Sequence, residues 1–389
     1  MIRLGLSLYP EQEKMEDIEQ YLQTASKYGF NVVFVSLFSV PGTKEEVVDI
    51  FKKFGAMAHK YGFEVSGDCN GDFFAKMEAT PEDLSVFKEM GIDIIRMDFA
   101  FNDERDACLI NNKEGIKVEM STGFKATIER ALKNGADPKR LSTCHNFYPL
   151  RYSAPSLEKI NGLNEYWKER DIPVAIFISS RVEGAHGPWP VSDGLPTIEE
   201  HRDMPIEAQL KHVLSLKNVT EVRISNAYAS EEEMKAIKQV VDAAYAHVEV
   251  PPQFPAIIAN LIPQGDVMRL PFKLHLDPAV TDFERSLVFD YPAHNDMGDC
   301  LNYMLRSRFT RMLAQGKTVE VRPCDKKVFT RGDVVVVNDN CRHYAGEVQI
   351  VLKDMVNDGQ RNYVGAIDPS ELVVLNHMGA KDMFTFVEA

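Results

Sequence analysis

Three acidic side chains stand at comparable places in three successive apolar runs: Asp68 in FEVSGDCN, Asp98 in DIIRMDFA and Glu119 in IKVEMS. Carboxylates delivered by neighbouring segments can share a proton unevenly, because one ionised acid raises the pKa of the next and keeps it protonated as a general acid. Adjacent strands lie roughly 4.8 Å apart, so two such acids at one height would match the roughly 5–5.5 Å spacing of a retaining glycosidase pair. Arg96 and Lys117 occupy the same runs and offer a plainer reading, an internal salt-bridge network. Three acids against two bases leave acid to spare.

Alternation supplies the directions. In DIIRMDFA the apolar set Ile95, Met97 and Phe99 must face covering helices, so Arg96 and Asp98 face the other way. The same argument turns Lys117, Glu119 and Ser121 inward, with Ser66, Asp68 and Asn70, and takes Ser7 and Tyr9 from the first run, IRLGLSLY. LSTCHNFY finishes on His145, Asn146 and Tyr148, an expensive ending for a buried strand, since an unpartnered polar group costs roughly 1–3 kcal/mol. A pocket rim removes that cost, and Asn226 and Tyr228 close EVRISNAY in the same way. The long irregular stretch RVEGAHGPWPVSDGLPTIEEHRDMP (181–205) has the length of a functional lid. Within it Arg181, His186 and Arg202 suit an anion, while Trp189 either stacks on a sugar face or packs the loop onto the fold. His145 with Asp68 and Glu119 would make a metal set, but the chain has no HxH or HExxH spacing, so no metal and no cofactor are expected.

These residues must be positioned by repeating units. Eight β-rich runs, at 2–9, 31–39, 63–70, 93–100, 116–121, 141–148, 173–180 and 221–228, alternate with amphipathic helical stretches, which predicts a parallel sheet closing into a TIM barrel. No run is followed by GxGxxG, the mark of the open dinucleotide-binding alternative. Helix punctuation is explicit: Thr43 with Glu46 and Ser230 with Glu233 form capping-box patterns, and Thr80 before Pro81 reads as a helix start. Gly29, Gly62 and Gly91 stand where left-handed C-cap residues belong. The proline-rich VEVPPQFPAI ends the pattern, giving domains at 1–250 and 251–389. The second domain contains FKLHLD, KTVEVRP, DVVVVND, GEVQIVLKDM, RNYVGAI and DMFTFVEA, with a helical segment at DCLNYMLRSRFTRML, and is expected to be a small barrel or sandwich.

Composition narrows the function. A chain of 389 residues with 44% hydrophobic residues can bury a large core, and its net charge of -14 argues against nucleic acid or anionic membranes as partners. Six scattered cysteines without CxxC spacing, no signal-like start and no apolar run of membrane length predict a cytoplasmic protein with reduced thiols. Acids at a barrel mouth suit a glycosidase. On the residues alone, a metal-dependent sugar-phosphate aldolase, isomerase or phosphatase and a non-enzymatic carbohydrate-binding protein stay open.

HNFYP (145–149), GLPTIEEHR (194–202), RMDFAF (96–101) and TRGDVVVVND (330–339) together resemble the bacterial 6-phospho-N-acetylmuramidase family. The likeness runs the length of the chain. It implies a TIM barrel followed by a cyclophilin-like β domain, and hydrolysis of the β-1,4 bond between N-acetylmuramic acid 6-phosphate and N-acetylglucosamine in cytoplasmic cell-wall recycling. The partner it implies is a phosphorylated amino-sugar disaccharide. One departure stands out: Asp193 precedes Gly-Leu-Pro where the family's loop is expected to carry Glu. On the strand argument, Glu119 is the expected acid, Asp98 the nucleophile or the group orienting the 2-acetamido oxygen, and Asp68 the tuner of both. Arg151, Arg181, Arg223, Arg306 and Arg308 are the candidates for the phosphate.

Overall fold

Short runs rich in Val, Ile and Phe form eight parallel strands: β1 (Arg3–Leu8), β2 (Phe30–Ser36), β3 (Glu64–Cys69), β4 (Ile94–Met97), β5 (Lys117–Ser121), β6 (Leu141–Cys144), β7 (Val174–Ile178) and β8 (Glu221–Ile224). Each pairs with the next and β8 pairs with β1, so the barrel is closed. This is the expected TIM fold. The computed structural model describes residues 1–389 other than 192, 251, 253, 255 and 300, and the backbone alone at 257 and 258. Part of the expected linker, VEVPPQFPAI, and Cys300 therefore lie outside the described residues.

Internal contacts divide the chain into two units, Met1–Leu210 with Leu216–Lys238, and Lys211–Ser215 with Gln239–Ala389. In the first, the outward faces of the strands are apolar and buried, with Ile95, Met97, Val118 and Met120 all fully enclosed. Helix ends follow the local chemistry. Thr43 and Glu46 form the reciprocal capping box of Lys44–Lys60. Ser230 and Glu233 exchange the same pair of bonds, each 3.1 Å. Gly29, Gly62 and Gly91 take positive φ at helix C-termini. Thr80 departs from expectation: it closes a tight turn with Asp83, and the helix starts only at Ser85, whose amide is capped by the Asp83 carboxylate. A second short polar residue three positions on captured the cap.

The second unit adds β9 (Leu270–Leu276), β10 (His294–Asn295), β11 (Met304–Ser307), β12 (Val328–Phe329), β13 (Asp333–Val337), β14 (Val348–Val351), β15 (Met355–Val356), β16 (Arg361–Ile367) and β17 (Met383–Glu388). Seven of them form a sheet in the order β10-β17-β9-β16-β13-β14-β11, while β12 and β15 pair separately. Two expectations fail here. The segment expected to be helical contains β11 and a 3-10 turn, Arg308–Met312, because Leu305 and Ser307 alternate into the interior at period two and β11 finds a partner in β14. KTVEVRP alternates too, yet among the described residues it joins no strand ladder, and Val321 stays half exposed. The sequence reading also missed the helix Asp282–Phe289, which begins with a capping box of Thr281 and Glu284.

Gly55 lies inside the helix Lys44–Lys60, where glycine normally costs about 1 kcal/mol relative to alanine. A Cβ there would stand 2.6 Å from the Met90 carbonyl oxygen and 3.0 Å from Gly91 Cα, so two helices meet backbone to backbone. Gly55→Ala is therefore expected to lower stability by about 1–3 kcal/mol despite its better propensity. Thermal or denaturant unfolding checks this, and a stabilised variant would refute the close approach.

Candidate active site

A cavity of about 600 Å³, counting its open mouth, lies at the C-terminal ends of the barrel strands. One side is aromatic: Phe34, Phe38, Phe147, Phe177 and Trp189, with Pro188. Phe147 meets Phe177 edge-on at 5.2 Å and Trp189 at 6.3 Å between ring centroids, and Phe34 meets Phe177 at 5.4 Å. The other side is polar, with Tyr9, Ser36, Asp68, Arg96, Asp98 and Asn146. Such a division suits a pyranose, whose C–H face is apolar and whose rim is hydroxylated.

Arg96 organises the polar side. From β4 it donates to Asp68 on β3 at 2.6 Å, lies 3.9 Å from Asp98 and donates to the side-chain oxygen of Asn146. The nearest oxygens of Asp68 and Asp98 are thus no farther apart than those two distances together. Asp98 is half exposed to the cavity, while Asp68 is almost enclosed. Burial pushes the Asp68 carboxyl above its usual range, against the pull of Arg96 and with help from the charges of Asp98 and Glu119. One guanidinium between two carboxylates leaves the group one acid in excess, and a poorly solvated site resolves such an excess by keeping a proton. Tyr9 donates to the Ser225 carbonyl at 2.8 Å, and burial raises its pKa, so it stays neutral.

Glu119 is not in this cavity, and its expected place is corrected by the tilt of the strands. Asp68, Arg96, Glu119 and Ser142 are successive register partners on β3, β4, β5 and β6. With strands tilted by roughly 36° and spaced roughly 4.8 Å, each step in register descends the axis by roughly 3 Å. Glu119 and Ser142 line a different cavity at the N-terminal ends of the strands. There Glu119 is buried and gripped by Arg223 through two bonds of 2.9 and 2.6 Å, and Arg223 also holds Glu221 at 2.5 Å. This pairing removes Arg223 from the phosphate candidates.

Of the trio ending the sixth run, the structure brings Asn146 alone to the cavity. Beyond Cys144 the chain has left the ladder but keeps alternating, so Cys144 and Asn146 face in and His145 faces out. His145 is buried between Thr122 (3.2 Å) and Asn164 (2.6 Å), and desolvation lowers its pKa to about 4. It is a neutral hydrogen-bonded spacer. Tyr148, half-buried, gives its backbone to the loop: its amide bonds to Pro196 and its carbonyl to Arg202. Asn70 turns aside to cap Gly71–Lys76 through the Phe73 amide at 2.8 Å, and Ser7 lies in the interior beneath Tyr9. Asn226 is buried against Ser179 at 2.6 Å, and Tyr228 packs between Tyr21 and His186.

The 181–205 loop, of which Ser192 lies outside the described residues, is held by Arg181, His186 and Arg202 within it and by Arg151 from the segment after β6. Arg202 is buried and donates to the carbonyls of Tyr148 and Leu150, at 2.8 and 2.9 Å, and to Glu199 at 2.5 Å. That last bond draws the Glu199 carboxyl down to about 2. Arg151 bridges Asp203 at 2.8 Å and Asp193 at 3.2 Å, and Arg181 donates to the Asp203 carbonyl at 2.6 Å. His186 pairs with Glu13 at 2.5 Å, and its backbone bridges to Ala227. These contacts make the loop a fixed wall bearing Trp189. Arg306 and Arg308, in the second unit, are bound to Glu347 and Asp299.

Apart from Trp189, the residues that sequence reasoning missed are those of the aromatic wall: Phe34, Phe38, Phe147 and Phe177. The signal was present: alternation in NVVFVSLFS sends Phe34 and Ser36 inward, and in PVAIFISS it sends Phe177 inward. Among the described residues no three His, Cys, Asp or Glu side chains gather as metal ligands. Five cysteines, Cys69, Cys108, Cys144, Cys324 and Cys341, carry free thiols. No helix among the described residues is long and apolar enough to cross a membrane.

The profile of the family described as "6-phospho-N-acetylmuramidase, N-terminal" matches residues 4–239, and its "C-terminal" counterpart matches 270–387. An uncharacterised Bacillus cereus protein of known structure is 32% identical, with a TM-score of 0.84 over 100% of this chain and 99% of that one. An Enterococcus faecalis protein of unknown function shares the fold at 20% identity and a TM-score of 0.68, over 99% of this chain and 96% of that one. No curated protein matches the sequence. Neither the metal-dependent nor the non-enzymatic alternative gains support from these matches. The chain belongs to the 6-phospho-N-acetylmuramidase family and is a glycosidase.

Proposed function

We propose that the cavity at the barrel mouth hydrolyses the β-1,4 bond between N-acetylmuramic acid 6-phosphate and N-acetylglucosamine, and that the chain does so in the cytoplasm as part of cell-wall recycling. The observation that carries the reading is the placement of Asp68 and Asp98 about one guanidinium on the polar side of a cavity whose other side is aromatic. Asp68, whose affinity for a proton is raised, is the general acid that protonates the leaving oxygen. Asp98, open to the cavity, is the carboxylate that either attacks the anomeric carbon or orients the 2-acetamido oxygen to do so. Arg96 fixes both, and Asn146 holds Arg96. Trp189 and Phe147 receive the apolar face of a sugar ring. Of the arginine candidates in the barrel unit, Arg151 and Arg181 lie in the segments that follow β6 and β7, and taking the 6-phosphate would require them to exchange their contacts with Asp193 and Asp203 for it.

Asp98→Asn and Asp68→Asn are each expected to lower kcat by about 10²–10⁴-fold, the usual worth of a positioned acid or base. Glu119→Gln is expected to act differently. Stranding the buried Arg223 charge should cost about 3–5 kcal/mol of stability, while the folded fraction keeps turnover within a few-fold. A thousandfold loss of kcat in Glu119→Gln with an unshifted melting temperature would return Glu119 to the chemistry. Because the acid must be protonated, kcat/KM should fall as pH rises through the raised Asp68 pKa, and Asp68→Asn should erase that limb. A profile unchanged by the substitution would deny Asp68 the role.

Substrate class is tested with one muramyl disaccharide offered in its 6-phosphorylated and unphosphorylated forms, with products identified by mass. The phosphorylated form should be preferred by at least about 100-fold in kcat/KM, as expected for charge-assisted recognition of a phosphate. Equal rates would remove the phosphate from the reading.

A further inference from the structure

At the opposite end of the barrel, the cavity at the N-terminal ends of the strands holds about 790 Å³ counting its opening. In this fold that end ordinarily serves stability. Its charge does not fit that role alone. Arg3, Lys117, Lys139, Arg140 and Arg223 line it, against the carboxylates of Glu119 and Glu221, in a protein of net charge -14. Arg223 is matched by Glu119 and Glu221, and Arg3 and Lys117 share Glu64 at 2.6 and 3.0 Å. Three cations thus meet three anions, and that cluster is neutral.

Lys139 and Arg140 are left. Neither has a carboxylate partner among the described residues; the Asp137 carboxylate bonds to the backbone amide of Lys139 and caps its 3-10 turn. Arg140 is nonetheless held in place. Its Nη2 donates to the Asn112 carbonyl at 2.7 Å and to the Asn112 side-chain oxygen at 3.2 Å. Asn112 is itself buried and fixed by bonds to Leu109 and to both backbone groups of Ile116. The guanidinium is therefore preorganised by neutral groups that leave its charge uncompensated, and Ser142 of β6 lines the same cavity. Building a cation into a cavity wall without an anion lowers the cost of binding one.

We propose that this cavity is a second small-molecule site, distinct from the catalytic mouth, and that it takes a phosphate dianion, free or as a phosphomonoester, between Lys139, Arg140 and Ser142. Two unmatched positive charges match the charge of that group near neutral pH, and a serine hydroxyl supplies a further donor. The inference is independent of the hydrolytic reading, because none of these residues lies at the mouth.

Isothermal titration of the full chain with inorganic phosphate and, separately, with glucose 6-phosphate tests it. Saturable binding is expected with a Kd on the order of 1 mM or tighter, weakening as salt is raised. Lys139→Gln with Arg140→Gln should weaken it by at least about tenfold, and Lys139→Gln alone, which disturbs no internal contact, by a few-fold. Binding of both probes would mean that the phosphate group is read by itself, and binding of the sugar phosphate alone would mean that the cavity also reads the sugar; either supports the site. Absence of saturation below about 10 mM, or binding by the double variant equal to that of the parent chain, overturns it. The readout is binding, so loss of hydrolysis by a mouth variant would leave this result untouched.

Discussion

The interior of a closed barrel is a poor solvent for charge, and here it contains two guanidinium groups. Every carboxylate inside must be matched at its own height, since a pair of opposite charges separated by a layer of side chains compensates little of the desolvation each suffers. Arg223 completes the lower layer with Glu119 and Glu221, and reaches them because β1 carries Gly5 opposite: a Cβ there would come within 2.8 Å of Arg223 Cγ. The carboxylate left over in that layer is met by Arg3, which lies 3.3 Å from Glu221 and shares Glu64 with Lys117, so the lower cluster is neutral and Arg96 is left to serve the upper layer, where it faces Asp68 and Asp98 together. The acid excess at the mouth follows from the completeness of the layer below.

How much of this could be read from the sequence depends on which geometric variable is asked for. The face of a strand has period two and is written in the residues, so the inward direction of Asp68, Arg96, Asp98 and Glu119 was legible. Height along the axis was not, because it arises from strand tilt, a property of closure that no single strand encodes. Treating register as height put Glu119 at the mouth, when it is one charged layer down. His145 shows a milder failure: alternation past the end of β6 would have separated it from Asn146, yet the run of polar side chains looked like a rim. In the second unit, period-two and period-3.6 signals conflict over 299–313, and the conflict was settled by the availability of β14 as a partner, which is tertiary information.

The long loop after β7 makes a related point about charge. Arg151, Arg181 and Arg202 looked in the sequence like cations awaiting an anion, and in the fold they bind the loop's own carboxylates and carbonyls. Irregular segments have no ladder to satisfy their backbone, so carbonyls such as that of Asp203 in this loop and those of Tyr148 and Leu150 in the segment after β6 need donors from elsewhere, and arginine side chains supply them. The result is a wall stiff enough to present Trp189 to the cavity. A flexible lid would not need a buried arginine at its root.

Glu119, though absent from the mouth, still bears on the chemistry there. Its charge is among those that raise the proton affinity of Asp68, and the Arg223 guanidinium that neutralises it also reaches Ser66, two residues below Asp68 on the same strand. The lower layer therefore acts on the upper one through the electrostatic field and through the backbone of β3, with no contact to substrate.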